Sequence, residues 1–134
     1  MLGEQVLEER GKVTGQRVLP SQGAGPVVET SFQASGKVLG IEFNDMATYS
    51  AVMTPAGVLH GQGQGVWMTK DGEMASWTGA GVGRFTRPGV VSWRGALYVQ
   101  TASPKLARLN SVALVYEYEV DENGNAHGKG WEWK

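Results

Sequence analysis

His60 and His127 are the only imidazoles in the chain, and cysteine is absent. Neither histidine stands in a His-x-His or His-Glu-x-x-His spacing, so no metal set is expected. A lone histidine is more often a surface group than a ligand. His60 becomes a general acid or base if it faces an interior beside Arg94, because imidazole titrates near neutrality. Arg94 would there hold a carboxylate or enolate oxygen, with Tyr98 as a further polar group. The commoner fate of such an arginine is a cross-strand surface partner. His60, Arg94 and Tyr98 are thus the candidate catalytic residues.

Other chemistry is thinner. The absence of cysteine excludes disulfides, thiolate metal sites and a Cys nucleophile. Gly-x-Ser-x-Gly is missing, and no Ser/His/Asp grouping is readable. Gly61-Gln62-Gly63-Gln64-Gly65 and Gly79-Ala80-Gly81-Val82-Gly83 look superficially like phosphate loops. They lack the Gly-Lys-Ser/Thr ending and the dinucleotide spacing, and their period of two reads as strand. No cofactor is expected. A buried Glu would have a raised pKa and could serve as an acid or base, but Glu117, Glu119 and Glu132 read as one exposed face. Aromatic residues carry the strongest signal. Trp67, Trp77, Trp93, Tyr116, Tyr118 and Trp131 are the candidate ligand-binding set, with packed core as the competing use.

Strands must position these side chains. Four tight turns contain glycine where φ > 0 is needed: Thr54-Pro55-Ala56-Gly57, Thr69-Lys70-Asp71-Gly72, Thr86-Arg87-Pro88-Gly89 and Glu122-Asn123-Gly124-Asn125. Looser breaks fall at 21–26, between Gly36 and Asp45, and at 103–110. Seven breaks imply eight strands. The segments 27–34, 48–53, 90–101 and 112–120 are rich in Val, Tyr, Phe, Trp and Thr. We therefore expect an all-β, eight-stranded antiparallel up-and-down barrel as a single domain over 1–134, a sandwich being the alternative. In 103–110, Leu106 and Leu109 are placed to plug one barrel end.

Turn chemistry sets the registers. A three-residue loop at 70–72 puts Trp67 opposite Ala75 and Gly65 opposite Trp77. The same loop at 87–89 puts Gly83 opposite Trp93. The two registers agree on one face, where indoles lie against glycines, and that face is read as inward. His60 and Arg94 then point outward; a one-residue slip would exchange the faces. Asn123-Gly124 as a two-residue loop puts Tyr118 opposite Lys129, Tyr116 opposite Trp131 and Leu114 opposite Trp133. This hairpin's Tyr/Trp side is expected to face inward.

With 134 residues, 12 Lys plus Arg and 13 Asp plus Glu, the chain offers no broad footprint for nucleic acid or an anionic membrane. No signal peptide or membrane span is readable, so a cytoplasmic protein is expected. A symmetric homodimer is a possible assembly.

Three stretches carry a resemblance: Gly36-Lys37-Val38-Leu39-Gly40, Gly57-Val58-Leu59-His60-Gly61-Gln62-Gly63 and Asp71-Gly72-Glu73. Over about residues 27–100 the chain resembles small bacterial β-barrels of the calycin-like and allene oxide cyclase-like kind. The resemblance is one of architecture and hairpin style, and no cyclase residues map onto this sequence. It implies a barrel holding a small apolar molecule, some members catalysing cyclisation or isomerisation. Three readings follow: a binder of a small apolar ligand, with Tyr116 or Tyr118 orienting one polar group; a cofactor-free isomerase or cyclase; and a filled-core structural or interaction module.

Overall fold

Runs of β-branched and aromatic residues separated by glycine turns have one economical outcome, antiparallel hairpins in succession. A computed structural model of the chain describes residues 1–134 except Gln22 and Ala24. The break read at 21–26 includes those two and so lies partly outside the described residues. Among the described residues the strands are β1 (Leu2–Leu19), β2 (Val27–Val38), β3 (Ile41–Met53), β4 (Leu59–Thr69), β5 (Met74–Arg87), β6 (Val90–Gln100), β7 (Ala113–Val120) and β8 (Asn125–Trp133). Each pairs with the next, and β1 pairs with β8, closing an eight-stranded antiparallel up-and-down barrel. Closure leaves no open edge.

Both tryptophan registers match the expectation. Gly65 lies opposite Trp77, and Gly83 opposite Trp93. Trp67, Trp77 and Trp93 are buried inside, while His60, Arg94 and Tyr98 alternate outward. Phe85, on the same face as the indoles, emerges half-exposed at the rim.

The β7–β8 hairpin departs from the expected register. Tyr118 lies opposite Gly128, Tyr116 opposite Gly130 and Leu114 opposite Glu132. Asp121 is the cause. Its carboxylate accepts the Asn123 and Asn125 backbone N–H groups at 2.9 Å each, and Asn125 Nδ2 donates to it at 3.0 Å. That bracket selects a three-residue loop with Gly124 at φ +79° in place of the two-residue turn. A one-residue change of register turns every β8 side chain over. Trp131 and Trp133 therefore lie on the outer face, and Glu132 is inward and 2% exposed.

The two ends of the barrel differ. Between β6 and β7 a short 3-10 helix (Ala107–Ser111) folds across one opening, with Leu106 and Leu109 fully buried beneath it. Arg108 ties this plug to Glu132 and Glu4, and Lys105 ties it to Asp71. At the opposite end the β3–β4, β5–β6 and β7–β8 turns surround an open mouth. The outer wall carries His60, Gln62, Gln64, Arg84 and Arg94 interleaved with exposed Met46, Val66, Met68, Val82 and Tyr98. No described helix is long and apolar enough to cross a membrane.

Candidate functional site

Bare backbone on β4 and β5 makes room for rings from neighbouring strands. A methyl group at Gly65 would lie 2.3 Å from Trp77 Nε1, and one at Gly61 would lie 2.7 Å from the Trp93 ring. At Gly81 it would meet the Tyr116 hydroxyl at 2.3 Å. The glycine stripe is therefore largely filled by aromatic side chains. The space that remains is a lumen cavity of about 70 Å³, walled by Phe32, Tyr49, Trp77, Trp93, Tyr116 and Tyr118. The rings brace one another. Phe32 and Tyr118 have centroids 5.1 Å apart, and Tyr49 meets Trp93 edge-on at 5.7 Å. Tyr49 also meets Tyr118 edge-on at 6.0 Å.

Above this cavity lies the open mouth, a basin of about 420 Å³. Val28, Met53, Leu59, Phe85 and Val91 give it an apolar lining, with Asp121 and Glu122 on the β7–β8 side. Tyr49 and Trp93 line both spaces. A molecule seated in the mouth therefore rests on the same two rings that roof the inner cavity.

Two carboxyl groups lie within this aromatic interior. Glu9 comes from β1 and Asp45 from β3; they are 6% and 3% exposed. The two carboxyls lie close enough to perturb one another. Burial, and then the adjacent Asp45 charge, push the Glu9 pKa well above the usual carboxylate range. Burial raises Asp45 too, against the hydrogen bonds of Glu9 and the nearby indoles. Trp77 Nε1 donates to Asp45 Oδ1 at 3.1 Å. No basic side chain among the described residues offsets either carboxyl. Glu9 Oε1 and the Tyr118 hydroxyl have no hydrogen-bond partner among the described residues, and both residues line the cavity. Burial raises the Tyr118 hydroxyl far beyond its ordinary value and pushes Tyr116 up to about 12, so both stay protonated. Tyr116 donates to the Ala80 carbonyl at 3.3 Å.

The residues expected to do chemistry thus divide. Trp77, Trp93, Tyr116 and Tyr118 come together around the cavity. Trp67 is fully buried but packs on Phe43, with ring centroids 5.2 Å apart, away from the cavity wall. Trp131 is corrected to the outer face by the β7–β8 register. His60, Arg94 and Tyr98 are exposed on the outer wall, where Arg94 faces Glu117 at 3.8 Å and donates to Ser92 Oγ. They cannot form an interior acid–base group, because the indoles and glycines hold the opposite face inside. His127 is likewise outside, 2.7 Å from Glu8. Glu9 and Asp45 were missed by reading turns and motifs. Their signal is strand alternation: Leu7, Glu9 and Gly11 share one face, as do Phe43, Asp45 and Ala47.

No family model matches the chain, and no curated protein matches it. Solved structures do. A conserved protein of unknown function from Rhodopseudomonas palustris superposes with a TM-score of 0.81 at 13% identity, over 99% of both chains. A protein of unknown function from Clostridium acetobutylicum gives 0.83 at 14% identity, over 96% of each. A beta-barrel like protein from Acinetobacter baumannii gives 0.82 at 12% identity, over 100% of this chain and 96% of its own. At these identities the likeness is one of fold.

Proposed function

We propose that this barrel holds a small, largely apolar molecule, admitted at the open mouth and seated on Tyr49 and Trp93. The observation that carries the reading is the asymmetry of the barrel. One end is sealed by Leu106 and Leu109, and the other opens on an apolar basin floored by the rings of the lumen. Concave, mainly apolar spaces with a few convergent polar groups are the usual form of a small-molecule site. Tyr118 supplies the orienting polar group, since its buried hydroxyl has Tyr49 beside it but no well-formed hydrogen bond, whereas that of Tyr116 donates to the Ala80 carbonyl. The isomerase or cyclase alternative loses His60, Arg94 and Tyr98 to the outer wall and keeps only a buried Glu, met by Glu9, while a wholly filled core leaves the mouth without a use.

Each buried methylene contributes about 0.8 kcal/mol, and binding costs several kcal/mol of freedom. A ligand of about six carbons gains about 5 kcal/mol before that cost, so it should bind no tighter than about 0.1 mM. Tryptophan fluorescence during titration with short apolar molecules tests this. A shift or quench is expected, and Trp93→Phe should remove most of it. Unchanged emission across the whole panel would sink the proposal.

A further inference from the structure

The lumen contains an acceptor without a donor. Glu9 lines the cavity, and its Oε1 is a buried acceptor with no hydrogen-bond partner among the described residues. A buried acceptor left unpaired destabilises the fold, so a ligand that brings a donor recovers what the fold gives up. No basic side chain among the described residues pairs with either carboxyl, so whatever negative charge the two carry is uncompensated. Around it stand the faces and edges of Phe32, Tyr49, Trp77 and Tyr118. Aromatic faces attract a desolvated cation. A charged donor satisfies all three features at once: the free acceptor, the uncompensated charge and the ring walls. An alcohol satisfies only the first, and a carboxylate opposes the second. Size points the same way. A cavity of about 70 Å³ accepts a headgroup and a carbon or two, while the remaining body must extend into the mouth.

We infer that the ligand is a small organic amine in its ammonium form, its head donating to Glu9 Oε1 and its apolar body lying across Tyr49 and Trp93. The inference rests on the ligand-holding reading above and names the chemical class that site takes. Tyr118 then adds an acceptor oxygen beside the ammonium, its own proton retained. No bond is made or broken.

The test compares three probes of one shape on the full chain near neutral pH: 2-phenylethylammonium, 2-phenylethanol and 3-phenylpropionate. Tryptophan emission and melting temperature are both read. The amine should bind at least about tenfold tighter than the alcohol, and the carboxylate weakest of all. Glu9→Gln, which keeps the shape and removes the charge, should cut amine affinity about tenfold and leave alcohol affinity within about twofold. Asp45→Asn gives the same reading should Glu9→Gln fail to fold. Equal affinity for amine and alcohol, or preference for the carboxylate, overturns the amine and leaves the apolar-ligand reading standing. Absence of binding by all three, together with silence across the apolar panel, overturns both.

Discussion

Glu9 differs from the other acids of this chain in its surroundings. It lies in an aromatic interior beside a second carboxyl, whereas the exposed Asp71 is held down to about 2 by its hydrogen bonds to Lys105 and Thr69. The two cases have opposite consequences for stability. Glu9 and Asp45 start from ordinary values of 4.5 and 3.8, and both rise on folding. The folded chain therefore binds their protons more tightly than the unfolded one. The stability this contributes is fully present below those ordinary values and is lost as pH rises through the raised ones. Asp71 and Glu132, whose values fall on folding, contribute above their ordinary values and lose that contribution in acid. Subtracting wild type from Glu9→Gln isolates the first effect. The groups acting on Glu9 are Asp45 from β3 and Tyr118 from β7. The melting-temperature difference, variant minus wild type, should grow in favour of the variant from about pH 5 to about pH 9. A difference that stays level over this range would show that Glu9 ionises as freely in the barrel as in water.

Among the elements, hairpins with glycine-against-indole pairs were readable, and the one without that check was misread. At β4–β5 and β5–β6, turn type and ring–glycine pairing each pointed to one register. At β7–β8, Asn123-Gly124 reads as a two-residue turn by turn chemistry alone, and the ring–glycine pairing contradicts it. That pairing sets Tyr118 against Gly128 and Tyr116 against Gly130, as the structure does. What the linear sequence did not display is the Asp121 carboxylate reaching two backbone N–H groups across the turn. The acid pair was illegible for a different reason. Glu9 and Asp45 are 36 residues apart in chain order, and only the pairing of β2 with both β1 and β3 brings them together. The plug at 103–110 was readable, because two leucines three apart have nowhere else to bury themselves. Leu106→Ala should cost about 2–5 kcal/mol in denaturant unfolding, as for a fully buried leucine. Emission changes on ligand binding at the mouth should survive it. A loss under about 1 kcal/mol would mean that Leu106 does not seal that end.

Closure is the property of the whole molecule on which the site depends. Glu9 stands on β1, Tyr118 on β7 and Gly128 on β8, so the polar side of the cavity straddles the seam where the first and last strands meet. In a sandwich, β1 or β8 would be an edge, fraying locally and exposing its amides well before the molecule unfolds. In the closed barrel, Glu8 to Lys12 are paired with β2 on one side and β8 on the other. Their hydrogen-bonded amides can be released only by breaking the sheet. Native-state hydrogen exchange should therefore find the protected amides of 8–12 and 126–130 opening with the same free energy as those of β4 and β5. Amides around the mouth turns should exchange far sooner, since that end lacks a plug. Protection at the seam weaker than in β4 and β5 by more than about 2 kcal/mol would mean that the barrel breathes between β1 and β8. Water would then reach Glu9 through the wall, and an acid pair held dry by closure would be the wrong description of the lumen.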